Sequence, residues 1–195
     1  EEKQHWEYAQ HMSLPEKKMV VFGAGNVGKE IARIGQAFGL KTVGVNTSGR
    51  DVHYFNQTVK TADGFEQVTD ANIIVNVLPE TDATQNVFDA TYFGRQEKQP
   101  LFINVGRGSA IVDQDLIEAI DQGVIAYASL DVFREEPLPA DHPFWAHDKI
   151  DVTPHMTGQV EHFAIETYKI FQANLTAYTK DGDLSVNVVS KEKGY

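Results

Sequence analysis

Four short stretches bring together residue types that can do chemistry. Gly23-Ala24-Gly25-Asn26-Val27-Gly28 has the spacing of a phosphate cradle, and it follows an apolar run and opens a helical pattern. Gly23 allows a tight turn, Gly25 lets backbone approach a pyrophosphate, and Gly28 lets the helix pack on the preceding strand. The amides around Asn26 and Val27 then face the diphosphate from the positive end of the helix. Further along come Asn104-Val105-Gly106-Arg107-Gly108-Ser109, then Leu130-Asp131-Val132-Phe133-Arg134-Glu135-Glu136-Pro137-Leu138-Pro139, then Thr153-Pro154-His155-Met156-Thr157-Gly158. They supply a guanidinium (Arg107), a carboxylate (Glu136) and an imidazole (His155). A planar guanidinium can grip a carboxylate. An imidazole can give or take a proton near neutral pH, and a carboxylate beside it would hold the ring and favour the imidazolium.

The end of the second predicted strand, Val45-Asn46-Thr47-Ser48-Gly49-Arg50, bears on which dinucleotide binds. An acidic residue there would bind the ribose 2′-OH and repel a 2′-phosphate. Asn46 stands in its place, while Ser48 and Arg50 offer a hydroxyl and a guanidinium. NADP(H) is therefore the favoured cofactor, with NAD(H) the alternative. Val77-Leu78-Pro79 is expected to line the crevice for adenosine and nicotinamide, or to be ordinary strand-end core.

These residues need strands and helices to hold them. Short apolar runs predict strands over 19–22, 42–45, 73–77, 101–105, 126–131 and 150–152. Helical spacing predicts helices over 27–38, closed by Gly39, and over 82–92. Further helices are expected over 115–121, capped by Asp113 and stopped by Gly123, and over 159–179. The run 186–189 reads as a strand or a packed arm. Alternation of this kind implies an α/β fold of Rossmann type, a doubly wound parallel sheet in a three-layer αβα arrangement. The chemistry-bearing residues then all follow strands, at the carboxyl edge where open α/β sheets bind ligands.

The three later motifs, in register with the glycine loop, resemble the D-isomer-specific 2-hydroxyacid dehydrogenase family from Lys18 onward. The resemblance implies hydride transfer between a nicotinamide and the C2 carbon of a 2-keto or 2-hydroxy acid. By motif position it makes Arg107, Glu136 and His155 catalytic and puts Asp131 beside the nicotinamide, although an aspartate after a strand can also simply cap a turn. Val105, Gly106 and Gly158, with Arg107 and His155 themselves, join the expected cofactor contacts. A homodimer is also implied. In the family a substrate domain precedes the cofactor domain; the expectation here is that it is absent. Residues 1–13 would be the linking helix, 14–182 the cofactor domain and 183–195 a tail. Methionine, threonine and glycine after His155 depart from the family's small apolar filling.

Composition narrows the partners. Of 195 residues, 42% are hydrophobic and 23% charged, ordinary for a globular domain. A formal net charge of −11 argues against general nucleic-acid binding and against anionic membranes. No apolar run reaches membrane-spanning length, and the first residues do not read as a signal peptide. Cysteine is absent, which removes thiolate metal sites and fits a reducing cytoplasm; no metal is expected. The competing reading is a non-catalytic dinucleotide-sensing module. It needs the glycine loop, but not the convergence of Arg107, Glu136 and His155.

Overall fold

Period-two alternation along buried β-branched runs fixes which face each strand residue takes. In the computed structural model, which describes residues 12–190, Val20 and Phe22 of β1 (Lys18–Phe22) enter one core cluster and Met19 and Val21 enter another on the opposite face. The chain continues through α1 (Asn26–Ala37), β2 (Lys41–Asn46), β3 (Gln57–Lys60), α2 (Thr61–Gln67) and β4 (Ile73–Asn76). It then forms α3 (Ala90–Gly94), β5 (Leu101–Asn104), α4 (Asp113–Asp121), β6 (Tyr127–Leu130), β7 (Ile150–Val152) and α5 (Phe163–Asp181). The seven strands lie in the order β3-β2-β1-β4-β5-β6-β7, and every pairing is parallel. This is the expected Rossmann-type sheet. The order reverses between β1 and β4, which opens a crevice at their carboxyl ends.

The two faces are covered unequally. One carries the larger cluster, built around Phe22, Phe88, Phe93, Phe102, Leu116 and Ile120. The other is smaller and is completed by Ile31 of α1 together with Leu14 and Phe55. α5 has no buried residue. None of the helices among the described residues is long and apolar enough to cross a membrane.

Several boundaries differ from the sequence reading. It assigned neither β3 nor α2, because Gln57-Thr58-Val59-Lys60 is a short, half-polar edge strand. The expected helix over 82–92 is not continuous. A turn at Asp82–Thr84 is closed by reciprocal Thr81 and Thr84 bonds, and Asn86 takes a positive φ of 54°. Phe88 then bridges to Ile111 before Asp89 caps α3 through the Tyr92 amide at 2.8 Å. Asp113 is not a cap: Val112 holds that position, and Asp113 lies inside the first turn, 3.5 Å from His142 Nε2. The run 186–189 is no strand; the Asn174 side chain holds it along α5 through the Ser185 and Val186 amides and the Val186 carbonyl. The linking helix expected over residues 1–13 falls almost wholly outside the described residues, as does the end of the tail.

Candidate functional site

The glycine loop sits where β1 ends and α1 begins, and each glycine meets a different constraint. Gly23 has φ 104°, and a Cβ there would stand 2.9 Å from the Val77 carbonyl oxygen. A Cβ on Gly28 would fall 2.1 Å from the Gly23 carbonyl oxygen, so α1 crosses the turn at backbone contact. Gly25 is the opposite case: a Cβ there would meet nothing within 4 Å. As N-cap it also offers no side chain to the first turn of α1. A tight turn, a close helix crossing and an open position between them fit the pyrophosphate of a dinucleotide.

The loop after β2 is closed around Asn46. Its Oδ1 accepts from the Ser48 amide (3.0 Å), the Ser48 hydroxyl (3.1 Å) and the Gly49 amide (2.6 Å), and its Nδ2 donates to the Arg50 carbonyl (3.0 Å). The Asn46 amide is therefore spent on its own loop, and the Ser48 and Arg50 side chains stand exposed at the rim. Beyond β4, Val77 and Pro79 are half-buried, whereas Leu78 is 8% exposed and belongs to the main core. The Leu78 side chain thus turns into the core, on the covered face of the sheet.

Arg107 is carried between two glycines for steric reasons. A Cβ on Gly106 would lie 2.8 Å from the Leu78 carbonyl oxygen, and one on Gly108 only 1.9 Å from the Phe133 carbonyl carbon. The loop is therefore pressed against both neighbouring strand ends, with Arg107 exposed between them. Its Nη1 donates to the Gly106 carbonyl at 2.6 Å.

Glu136 and His155 meet directly. His155 Nδ1 and Glu136 Oε2 are 2.7 Å apart, and Glu136 Oε1 accepts from the Phe133 amide at 2.9 Å. Burial pushes the Glu136 carboxyl up. The bonds from His155 and the Phe133 amide, with the charges of His155 and Arg107, outweigh it and hold the carboxyl below its ordinary value. His155 Nε2 has no hydrogen-bond partner among the described residues. Arg107, Glu136 and His155 line one cavity of about 260 Å³, together with Glu80, Ser109 and Arg134.

Asp131, which the resemblance puts beside the nicotinamide, also anchors its neighbouring loop. It is 2% exposed, and its two oxygens already accept four bonds. These come from the Thr153 hydroxyl, the Met156 amide, the Thr157 amide and the Thr157 hydroxyl. The carboxylate thus staples the loop that carries His155. Val105 is half-buried against the smaller core, and Gly158 is exposed, with open space around it, outside the cavity lining.

Sequence reasoning passed over three positioning groups. Arg134 has no role in the sequence reading, yet its Nη2 donates to Asn86 Oδ1 (2.6 Å) and to the Ser109 and Ile111 carbonyls, tying the Arg107 loop to the Glu136 loop. Asn76 and Asn104, both fully buried, are partners in register at the ends of β4 and β5. Asn76 Nδ2 donates to Asn104 Oδ1 (2.8 Å), and the pair binds the Leu78 and Gly106 amides and the Arg107 carbonyl. Two asparagines closing adjacent apolar strands were the available signal. No group of three metal-ligating side chains occurs among the described residues.

Residues 1–157 match the family described as D-isomer specific 2-hydroxyacid dehydrogenase, NAD binding domain. Glyoxylate/hydroxypyruvate reductase A of Photorhabdus laumondii is 36% identical over 180 residues, covering 90% of this chain and 55% of that protein. The NADPH-dependent glyoxylate/hydroxypyruvate reductase of Sinorhizobium meliloti, solved with NADP and sulfate, superposes with a TM-score of 0.89 at 29% identity, over 100% of this chain and 62% of the other. Phosphoglycerate dehydrogenase from Lactobacillus plantarum gives 0.80 at 36% identity, over 96% and 61%. The chain spans about half the length of the curated relatives it matches.

Proposed function

The chain belongs to the D-isomer specific 2-hydroxyacid dehydrogenases as their NAD-binding domain, and on that premise we propose that it binds NADPH and supplies the catalytic side chains of a 2-keto acid reductase. The observation that carries the proposal is the cavity shared by Arg107, Glu136 and His155 at the carboxyl edge of the sheet. The backbone of Gly23, Gly25, Asn26, Val27 and Gly28 would hold the pyrophosphate, and Ser48 and Arg50 the 2′-phosphate. When bound, the nicotinamide supplies or accepts the hydride at C2. Arg107 grips the carboxylate of the keto acid and fixes its carbonyl toward His155. His155 donates a proton from Nε2 to the carbonyl oxygen in reduction and takes it back in oxidation. Glu136 holds Nδ1, fixing the ring and stabilising its charge.

Small 2-keto acids such as those of the glyoxylate/hydroxypyruvate reductases are the substrates in this reading. Arg107 and His155 stand on an exposed face, so the chain alone binds cofactor with little turnover, and a second domain completes the water-excluded site. A homodimer belongs to the same proposal and rests on the family resemblance; a cytoplasmic location belongs to it too and rests on the absence of cysteine. A purely sensing module would have no use for three catalytic groups on one cavity.

Titrating the chain with NADPH and NADH, followed by nicotinamide fluorescence, tests the cofactor reading. NADPH is expected to bind at least about 10-fold more tightly, a difference of about 1.4 kcal/mol. Equal or tighter binding of NADH removes the preference, and binding of neither removes the cofactor reading.

A further inference from the structure

We propose that Lys60, at the end of edge strand β3, is a specificity-determining residue that selects NADPH by binding its 2′-phosphate beside Ser48 and Arg50. The inference rests on the dinucleotide reading above and adds to it a residue from a strand that the sequence did not reveal. In the parallel pairing of β2 and β3, Lys60 is the register partner of Asn46, the residue in the position of the ribose-binding acid. Register partners point to the same face with backbones about 4.8 Å apart, so Lys60 rises beside the Asn46 loop.

That loop is folded down onto Lys60. Gly49 takes φ 70°, and a Cβ there would lie 3.3 Å from the Lys60 amide nitrogen and 3.4 Å from its Cβ. The Ser48 and Arg50 side chains of this loop are exposed, as is Lys60 at the end of β3, and the Ser48 hydroxyl also donates to Asn46 Oδ1 and accepts from the Arg50 amide.

Charge points the same way. Lys18 and Lys41 in the sheet and Arg33 on α1 each pair with a carboxylate within 4.0 Å, whereas Lys17 and Lys29 do not among the described residues. Among the described residues, Lys60 and Arg50 have no such partner, although Asp51 and Asp63 lie near them in sequence. A phosphomonoester carries a charge of about −1.5 to −2 at neutral pH, which a single guanidinium leaves only partly neutralised. A mobile ammonium on a long stem provides the second cation without demanding fixed geometry.

The test titrates the full chain and its Lys60→Met and Lys60→Arg variants with NADPH and NADH. Lys60→Met is expected to weaken NADPH about 5- to 10-fold and to leave NADH within about 2-fold. Lys60→Arg should retain most of the NADPH affinity, and added salt should narrow the gap between wild type and Lys60→Met. An unchanged NADPH affinity in Lys60→Met, or a parallel loss for both cofactors, overturns the assignment while the dinucleotide reading stands. A wild-type chain that binds NADPH no better than NADH overturns the cofactor preference itself, and this inference with it.

Discussion

Alanine at Gly28 will destabilise the domain by about 3 kcal/mol and abolish measurable NADPH binding. The added methyl would fall 2.1 Å from the Gly23 carbonyl oxygen and 3.2 Å from Val21 Cγ1. The turn cannot retreat, because Gly23 is itself in backbone contact with Val77 on its other side. Either α1 lifts from β1 or the cradle opens, and both displace the amides that face a diphosphate. Thermal unfolding should move down by roughly 10 °C for a chain of this size. Gly25→Ala is the paired control. Its methyl meets no protein atom within 4 Å and its φ of −84° is ordinary for alanine, so stability should hold or rise slightly. Its NADPH affinity should nevertheless fall by about 10-fold or more, because the methyl enters the space kept for the ligand. Equal NADPH affinity in wild type and Gly25→Ala would mean that the open position serves no pyrophosphate.

Asp131→Asn is expected to cost about 3 kcal/mol and to release the His155 loop, although the two residues are nearly the same size. All four partners of the carboxylate are donors: two backbone amides and two hydroxyls. An asparagine must turn an NH2 toward some of them, and two donors facing each other in a buried site leave both without an acceptor. The staple also holds strain in place. His155 has φ 48°, a left-handed conformation that side chains other than glycine adopt at a cost of about 1 kcal/mol or more. Its amide bonds to the Asp131 carbonyl at 2.9 Å, so Asp131 fixes it from backbone and side chain together. Faster hydrogen exchange at the Met156 and Thr157 amides would register the release, and unchanged protection would contradict it.

The same carboxylate makes the loop sensitive to acid. Burial raises the Asp131 pKa, but the bonds from Thr153, Met156 and Thr157 outweigh it and hold the group below its ordinary value. Its contribution to stability is therefore complete above the unfolded aspartate value of about 4, and is lost as pH falls through the lower folded value.

The succession of strands and helices along the chain was legible because apolar runs and glycine stops are local signals. Six of the seven strands could be read from such runs; β3 could not, since its Gln57 and Lys60 ends look like loop. The helix over 82–92 failed for a tertiary reason. Phe88 takes its backbone partners from Ala110 and Val112, a pairing with no trace in the local pattern. At the site, motif spacing brought out Arg107, Glu136 and His155, and the structure brings all three to one cavity. What spacing could not reveal was direction. Asp131 faces inward onto its own loop, Leu78 faces the core, and Arg134, though exposed, reaches across to a carbonyl rim. Direction depends on the partner each side chain meets after the chain has folded.

The chain's amide and side-chain NMR spectrum, recorded during titration with NADPH, bears most directly on whether the nucleotide cradle and the catalytic cavity form one site. Shifts should appear together in the Gly23–Gly28 amides, the Gly106 amide, the Arg107 guanidinium and the His155 imidazole, all saturating with one affinity. Shifts confined to the glycine loop, with Arg107 and His155 unmoved, would leave a nucleotide holder whose three polar groups have no part in hydride chemistry.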